Sequence, residues 1–470
     1  MSNLPNTKKP DASKNAMLLL ITRLHFYIGM FVAPFIFIAA LTGTAYVLTP
    51  QLEAYVYKHE LKTDSTGPNK PLTEQIAAAR QSLSKDLTLF AVRPAPLPGD
   101  TTRIMFLDPS TLSGVRAVFI DPHNLAVRGS LGVYGTSGVL PLRTTIDYLH
   151  RTLLLGDLGR NYSELAASWL WIAALGGVYL WYKGGKKNQA ELATRTPYLR
   201  KRRSHYQLGL VIFLGLVFFS ITGLTWSKWA GGNISTVRQY IGWVTPSVSL
   251  DIKKTAHSTG MGEHANHLDH SNSTNMAMAQ AAPSATETDQ LFDKVLNTAR
   301  AAGIHSTKVE IKPPRKANTA WFVREIHREW PTQVDSVAID GSTLAVLDHA
   351  QFAHFPLIAK LIRWGIDAHM GLLFGLANQL ILAAFGLSLC VMIVWGYTMW
   401  WRRRPTAGAT SKPLLDAWSK LSPTWKAISL VVSLFVAISL PVMGISLVVF
   451  LLIDAIRWQK RLLSKAAILQ

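Results

Sequence analysis

The sequence predicts a polytopic α-helical membrane protein, built as an internally duplicated four-helix bundle plus a C-terminal hydrophobic hairpin, with two small α+β extracytoplasmic domains. Three observations support this fold class. Of the 470 residues, 49% are hydrophobic and only 16% are charged. Several uncharged runs reach the roughly 20 residues that cross a bilayer. The chain also repeats its own pattern of apolar runs, histidines and loops.

The first and third spans resemble each other residue by residue. One reads "RLHFYIGMFVAPFIFIAALTG" (23–43) and the other "RSHYQLGLVIFLGLVFFSITG" (203–223). Both copies carry a histidine at the start, a glycine four residues later and a Thr-Gly pair at the end. Thr42, Gly43, Thr222 and Gly223 are interpreted as helix-packing residues, because small side chains let membrane helices approach closely.

The second and fourth spans form the other repeated pair. Aligning His150 with His369 places Gly156 on Gly375 and Gly177 on Gly396 without a gap. Each half of the chain is therefore a span, an external domain and a second span.

Each external domain begins with a helical pattern, at 72–83 and at 289–303, and continues with strand-like runs. The segments "VFIDPHNLAVRG" (118–129) and "VAIDGSTLAVLD" (337–348) match each other. Their DPHN and DGST stretches are typical of hairpin turns. A helix with a small antiparallel sheet is predicted in each half.

The formal charge of +20 indicates membrane topology and requires no nucleic-acid partner. Basic residues concentrate before the first span, in the connection 183–203 and after the fourth span, so these segments are predicted to be cytoplasmic. The last apolar region is interpreted as a hairpin that turns at "LPVMG" (440–444), which keeps the basic C-terminus cytoplasmic as well. A single crossing is the alternative. The predicted location is the bacterial inner membrane, with the lipid bilayer as a partner.

The predicted order of segments is a cytoplasmic tail (1–16), a first span (17–49), a first external domain (50–147), a second span with an interfacial lead-in (148–183), a basic cytoplasmic loop (184–203), a third span (204–229), a second external domain (230–365) with a His/Met-rich insert (257–278), a fourth span (366–401), a cytoplasmic loop (402–424), the hydrophobic hairpin (425–456) and a cytoplasmic tail (457–470).

Four histidines occupy duplicated positions at the ends of the spans. His25 and His205 fall at the cytoplasmic side, and His150 and His369 at the external side. Polar groups at membrane depth are costly and usually have a partner. Two neutral imidazoles from facing helices can bind one haem iron, and bundle cores build cofactor sites in this way. The sequence therefore predicts two b-type haems, one for each pair. The alternative is that each histidine is an interfacial residue bonded to water or to a carbonyl.

Several glycines near these histidines are expected to make room for a flat macrocycle. Gly29 and Gly209 follow the cytoplasmic-side histidines by one helical turn. Gly156 and Gly375 are expected to do the same on the external side. The single cysteine, Cys390, excludes an intrachain disulfide and a cysteine-based zinc or iron–sulfur site.

The segments "LHFYIGMFVAPFIFIAALTG", "YLHRTLLLG" and "DAHMGLLFG", with the two "ID…LAV" external domains, resemble the PepSY-associated transmembrane family over roughly residues 18–404. Members of that family are similar to inner-membrane ferric-siderophore reductases and iron-uptake proteins. The resemblance implies PepSY-like external domains and a di-haem b protein, with His25, His150, His205 and His369 as axial ligands. It also implies an enzyme, a membrane ferric reductase that acts on Fe(III)–siderophore outside the membrane.

One segment departs from the family pattern. The insert "HSTGMGEHANHLDHSNSTNMAM" (257–278) places His264, His267 and His270 at three-residue spacing, close to Met261. Histidine and methionine suit copper, so this segment is a candidate metal site. A flexible polar linker is the alternative.

Three functions remain open at this level. The first is an electron-transferring reductase of an external metal–siderophore complex or metal ion, with iron or copper as the metal. The second is a non-redox membrane regulator whose external domains bind protein, and the third is a metal permease. The chain has no G-x-G-x-x-G motif after a strand, so a reductase would take electrons from a separate cytoplasmic reductase or from quinol.

Overall fold

The computed structural model describes residues 12–135, 138–191, 196–252, 285–403 and 413–469. It divides into two compact units. The helical unit comprises Met1–Thr44, Tyr148–Val237 and Ala383–Gln470, and the sheet unit comprises Ala45–Asp147 and Arg238–Leu382.

The helices in chain order are α1 (Ala12–Tyr27), a π-helical turn (Ile28–Val32), α2 (Ala33–Val47), α3 (Pro50–Val56), α4 (Lys58–Leu61), α5 (Leu72–Gln81), α6 (Pro141–Thr152), α7 (Gly156–Glu191), α8 (Pro197–Val211), α9 (Phe213–Thr225), α10 (Trp229–Tyr240), α11 (Ala285–Asp289), α12 (Phe292–Ala301), a 3₁₀ turn (Phe352–His354), α13 (Leu357–His369), α14 (Gly375–Arg403), α15 (Leu414–Ser419), α16 (Pro423–Ser439) and α17 (Pro441–Leu469). Four helical stretches among the described residues are long and apolar enough to cross a membrane, and the bent α8–α9 pair is a fifth candidate.

The second and fourth predicted spans are each broken just after their histidine. His150 lies in the last turn of α6, and His369 ends α13. The long apolar helices α7 and α14 begin only at Gly156 and Gly375, which have φ values of 57° and 54°. These left-handed conformations suit glycine. The two glycines therefore serve the helix breaks, and a Cβ on either would meet no atom within 4 Å.

The third predicted span is bent. It consists of α8 and α9, which meet at Ile212 at an angle of 59°. The start of α8 is set by Pro197 and by Thr196, whose hydroxyl accepts a hydrogen bond from the Leu199 amide. Part of the predicted loop 184–203 is therefore helical.

The last apolar region forms two helices, and the break between them falls at Leu440, inside the predicted turn. Ser422 caps α16 by accepting from the Trp425 amide, and Pro441 begins α17. The two helices pack against each other. A Cβ on Gly444 would lie 2.8 Å from the Cβ of Ala437, so only glycine permits this close approach.

The core of the helical unit is apolar and draws on helices from both halves of the chain. Ile28, Val32, Trp169, Ile212 and Leu389 are among its buried members. The indole of Trp169 donates to the Ser446 hydroxyl at 2.9 Å, so this buried polar group is satisfied.

The sheet unit contains one eight-stranded sheet. Its strands are β1 (Leu89–Arg93), β2 (Thr102–Leu107), β3 (Val115–Ile120), β4 (Val127–Gly132), β5 (Val309–Lys312), β6 (Trp321–Glu325), β7 (Ser336–Ile339) and β8 (Val346–Ala350). The order is β4-β3-β2-β1-β5-β6-β7-β8, with antiparallel pairing throughout. Each half thus supplies four strands, as an α+β repeat predicts, but the two halves join through β1 and β5 into a single sheet.

Helices α5 and α12 cover one face of this sheet. Their apolar side chains, Ile76 and Phe292 among them, are fully buried against strand residues from both halves. The Asp293 carboxylate accepts from the Leu72 and Thr73 amides at the start of α5, at 2.9 and 3.2 Å. The two repeats therefore share one hydrophobic core.

The DPHN and DGST segments form hairpin turns, as predicted. In the first, the Asp121 amide donates to the Ala126 carbonyl, and in the second the Asp340 amide donates to the Ala345 carbonyl. Leu125 and Leu344 have φ values of 66° and 57° at matching positions of these turns. The repeated sequence therefore yields a repeated turn, including an unusual left-handed leucine.

A buried charge cluster lies where β1 meets β5, on the face away from the helices. Glu310 is 1% exposed, and its two carboxylate oxygens accept from Arg93 at 2.5 Å and from Arg324 at 2.6 Å. Burial alone would raise the pKa of Glu310, but the charges of Arg324 and Arg93 lower it below its usual value. The carboxylate therefore stays ionised and ties the two halves together.

Lys312 belongs to the same cluster, with its Nζ 3.7 Å from a Glu310 carboxylate oxygen, but burial and the neighbouring arginines disfavour its charge. Burial lowers the pKa of Lys312 to about 8, and Arg324 acts in the same direction. Between pH 8 and 10.5 the unfolded chain then binds more protons than the folded chain, so stability should rise with pH in this window. Lys312→Met is expected to increase the free energy of unfolding at pH 7 by about 1–3 kcal/mol and to flatten this dependence. Denaturant unfolding of the full chain in detergent at several pH values measures both effects.

The matched control is Lys316→Met, at an exposed lysine of the same unit. It should leave the pH dependence unchanged. If the free energy of unfolding of Lys312→Met depends on pH as it does in the wild type, the charge of Lys312 does not destabilise the fold.

Candidate functional site

His25 and His205 come together in the helical unit. They lie on α1 and α8, and both imidazoles are partly buried. The rings are near enough to interact electrostatically. The structure thus brings together the two histidines that the sequence assigns to one membrane face.

Both imidazoles lie beside backbone carbonyls at equivalent positions of the duplication. His205 Nδ1 lies 3.0 Å from the Met392 carbonyl oxygen. The Ala173 carbonyl lies beside the His25 imidazole, whose Nδ1 is buried without a hydrogen-bond partner among the described residues. Ala173 aligns with Met392 when His150 is placed on His369. Because a carbonyl only accepts, the contact of His205 favours a proton on its Nδ1 and a lone pair on its Nε2.

The glycines that admit the two rings belong to the neighbouring helices. A Cβ on Gly177 would lie 3.4 Å from Cε1 of His25, and one on Gly396 would lie 3.8 Å from Cε1 of His205. The expectation that Gly29 and Gly209 leave room for a macrocycle stays a prediction: a Cβ on Gly29 would meet no atom within 4 Å, and one on Gly209 would lie 3.5 Å from Met392 Sδ.

His150 is held by α2 within the helical unit. Its Nδ1 lies 3.0 Å from the Ala39 carbonyl oxygen and 3.1 Å from the Thr42 hydroxyl. A Cβ on Gly43 would approach Cε1 of His150 to 3.2 Å. The interpretation of Thr42 and Gly43 as packing residues is therefore incomplete, since Thr42 orients the imidazole and Gly43 leaves room for it. Their recurrence with the histidines in both halves was the signal that could have shown this.

His369 lies in the sheet unit, at the end of α13. Two residues before it, Asp367 is fully buried and pairs with Arg328 at 2.7 Å and with Arg363 at 3.0 Å. The sharing of one haem by His150 and His369 stays a prediction.

The predicted metal ligands Met261, His264, His267 and His270 lie outside the described residues. Across the part of the chain that the structure describes, no group of three or more His, Cys, Asp or Glu side chains is arranged to hold a metal ion. Cys390 is buried in α14, with its Sγ 3.9 Å from the Phe37 carbonyl oxygen.

The fold and these sites define a class: a helical membrane protein made of two repeats, each with histidines at the ends of its apolar helices and four strands in a shared sheet. Residues 22–403 match the model of the PepSY-associated TM region. The match spans more than half of the chain, so the protein belongs to this family. No curated protein matches the sequence.

Proposed function

We propose that this protein is a di-haem b electron carrier of the bacterial inner membrane that reduces an Fe(III)–siderophore complex on the external side for iron uptake. His25 and His205 would hold one haem near the cytoplasmic side. His150 and His369 would hold the other near the external side. Each electron delivered converts one Fe(III) to Fe(II), and hard oxygen ligands hold Fe(II) less tightly, so the iron is released.

The observation that carries this proposal is the paired arrangement of His25 and His205. Two imidazoles from different repeats lie close together beside equivalent carbonyls, and His205 directs Nδ1 toward the carbonyl of Met392. Tying Nδ1 in this way is typical of histidines that ligate a metal through Nε2. Partly buried apolar residues that pack against the core of the helical unit, Leu24, Leu208 and Ile393 among them, suit a large hydrophobic ring. The residues present therefore fit a b-type haem.

A bound b haem supplies a one-electron Fe(III)/Fe(II) couple. The protein's own contribution is to fix the imidazoles and to keep water away from the site. The Met392 carbonyl and Thr42 fix the rings of His205 and His150, respectively. The buried apolar cluster around α1, α7 and α9 excludes water between the two faces.

The electron donor is a separate molecule in this proposal. A cytoplasmic reductase or membrane quinol would supply electrons, since the sequence has no dinucleotide-binding motif. The His/Met-rich insert suggests copper as the alternative metal substrate.

The proposal is tested on full-length protein purified in detergent from haem-replete cells. A reducible b-type absorption spectrum is expected. Anaerobic mixing of the reduced protein with an Fe(III)–siderophore should reoxidise it and yield one Fe(II) per electron, captured by a ferrous chelator. Colourless protein would overturn the proposal. If Cu(II) reoxidises the reduced protein and Fe(III) complexes do not, the metal substrate is copper and not iron.

Thr42→Val should weaken the haem that depends on His150 and leave the other unchanged. The substitution keeps the side-chain shape but removes the hydroxyl 3.1 Å from Nδ1. Loss of such a supporting partner typically costs about 10–100-fold in metal affinity. Because the Ala39 carbonyl still contacts Nδ1, the lower end of this range is expected. Haem loss to apomyoglobin, followed by absorbance, measures it.

Thr22→Val is the matched control, since Thr22 is exposed on α1 and its hydroxyl bonds only its own helix at Leu18. Equal rates of haem loss from both variants would show that the Thr42 hydroxyl does not support haem binding.

A further inference from the structure

Helix α13 of the sheet unit exposes an apolar stripe. Leu357 and Leu361, one turn apart, are 67% and 50% exposed, and Trp364 continues the stripe by one further turn. The opposite side of the helix is buried, with Ala359 and Ile366 among its members. A helix that faces water normally exposes polar residues. The exposed stripe of α13 therefore suits an apolar environment.

Aromatic side chains from outside α13 extend this stripe. Trp330 lies in the loop between β6 and β7 and is 56% exposed. Its ring centre lies 5.3 Å from that of Trp364 and 6.4 Å from that of the exposed Phe374. The Trp330 amide donates to the Leu373 carbonyl at 2.8 Å, which fixes the loop in this place. The aromatic patch is defined here as Trp330, Leu357, Leu361, Trp364 and Phe374.

The aromatic patch is continuous with a helix that is apolar enough to cross a membrane. Helix α14 begins at Gly375, directly after Phe374. Leu376, Leu380 and Ile381 are exposed in its first two turns, as expected where a spanning helix meets lipid. Tryptophan is enriched where the hydrocarbon core meets the lipid headgroups. The bilayer is therefore the partner whose position and chemistry match the patch.

We propose that the aromatic patch lies in the bilayer interface beside the start of α14, so that the β6–β7 loop of the sheet unit contacts lipid. Helix α13 then lies along the membrane surface, as amphipathic interfacial helices do. The first repeat has no such aromatic residues, because aligning His150 with His369 places Thr111 on Trp330 and Thr145 on Trp364. The contact is thus a property of the second repeat.

Buried charges link the aromatic patch to the end of α13. Arg328, two residues before Trp330, pairs at 2.7 Å with the fully buried Asp367. Arg363 contacts the same carboxylate at 3.0 Å. Lipid contact at Trp330 therefore helps to set the depth of the helix end that carries His369. The contact itself needs no haem, so it goes beyond the proposed function.

The test places a single spin label in the full-length protein. Cys390→Ala removes the only cysteine, and Leu357→Cys or Trp330→Cys then supplies one labelling site in the patch. The protein is reconstituted in vesicles of phosphatidylcholine and phosphatidylglycerol. Power saturation by electron paramagnetic resonance compares oxygen, which concentrates in the bilayer, with a neutral nickel chelate, which stays in water. The ratio of oxygen to nickel accessibility should be severalfold higher in the patch than at a water-facing site.

Asn297→Cys is the water-facing control, because Lys294 and Asn297 are the polar exposed residues of α12. Size-exclusion profiles identify folded variants, and the exposed Leu357 site keeps the test decisive if Trp330→Cys does not fold. A patch label as accessible to the nickel chelate as the Asn297 label would overturn the proposal. An immobilised label that neither reagent reaches would also overturn it, since protein and not lipid would then cover the patch.

Discussion

Replacing His25 or His205 with alanine is expected to remove one and the same haem. Wild-type protein should contain two b haems per chain, and each single variant should contain one. The reason is that the two imidazoles lie together in the helical unit and would hold one haem between them, so removing either ring removes half of its axial ligation. The double variant should therefore lose no more than either single variant. Haem quantification after purification measures this directly.

His59→Ala is the matched control, since His59 is exposed on the short helix α4. It should retain both haems. Additive losses in the double variant would show that His25 and His205 serve different groups, and full retention in both single variants would show that neither is a ligand.

Glu310→Gln should produce a large loss of stability in the sheet unit. The substitution keeps the side-chain shape but leaves the buried Arg93 and Arg324 without a counter-charge. Removing one partner of a buried ion pair typically costs about 3–5 kcal/mol. Denaturant unfolding of the full chain in detergent at pH 7 should show a decrease of this size.

Asp100→Asn supplies the comparison, because Asp100 pairs with Lys62, whose side chain is 53% exposed. Exposed pairs usually contribute less than about 1 kcal/mol. The combined variant Arg93→Met, Glu310→Met, Lys312→Met, Arg324→Met removes all four charges of the cluster and should recover much of the stability. Similar losses from Glu310→Gln and Asp100→Asn would contradict the role given to the buried cluster.

Local and repeated features of the structure could be predicted from the sequence. The DPHN and DGST turns, the helical patterns before them and the break at Leu440 all follow from residues near one another in the chain. The proximity of His25 and His205 followed from their matched positions in two similar spans. Such features depend on periodicity and turn chemistry, which a single sequence records.

Long-range pairing could not be predicted in the same way. Nothing near β1 or β5 in sequence specifies that these two edges meet, and the Glu310 cluster forms only once they do. The ring-facing role of Gly177 and Gly396 was missed for a related reason. Their position beside an imidazole depends on how a second helix packs, whereas the spacing within one helix suggested Gly29 and Gly209.

The bend at Ile212 also escaped prediction. The third span reads as one uninterrupted apolar run, with no proline to mark a break.

The join between β1 and β5 suggests how the protein arose. Val92 lies opposite Ile311 in this join, and these residues are equivalent when Asp121 is aligned with Asp340. An edge that pairs with its own counterpart is self-complementary, as in a twofold symmetric homodimer. An ancestor with a single repeat could thus have assembled the same sheet from two identical chains. Gene fusion would then have made the partnership permanent and allowed the equivalent positions Ala91 and Glu310 to diverge, which placed one acid beside the equivalent basic residues Arg93 and Lys312.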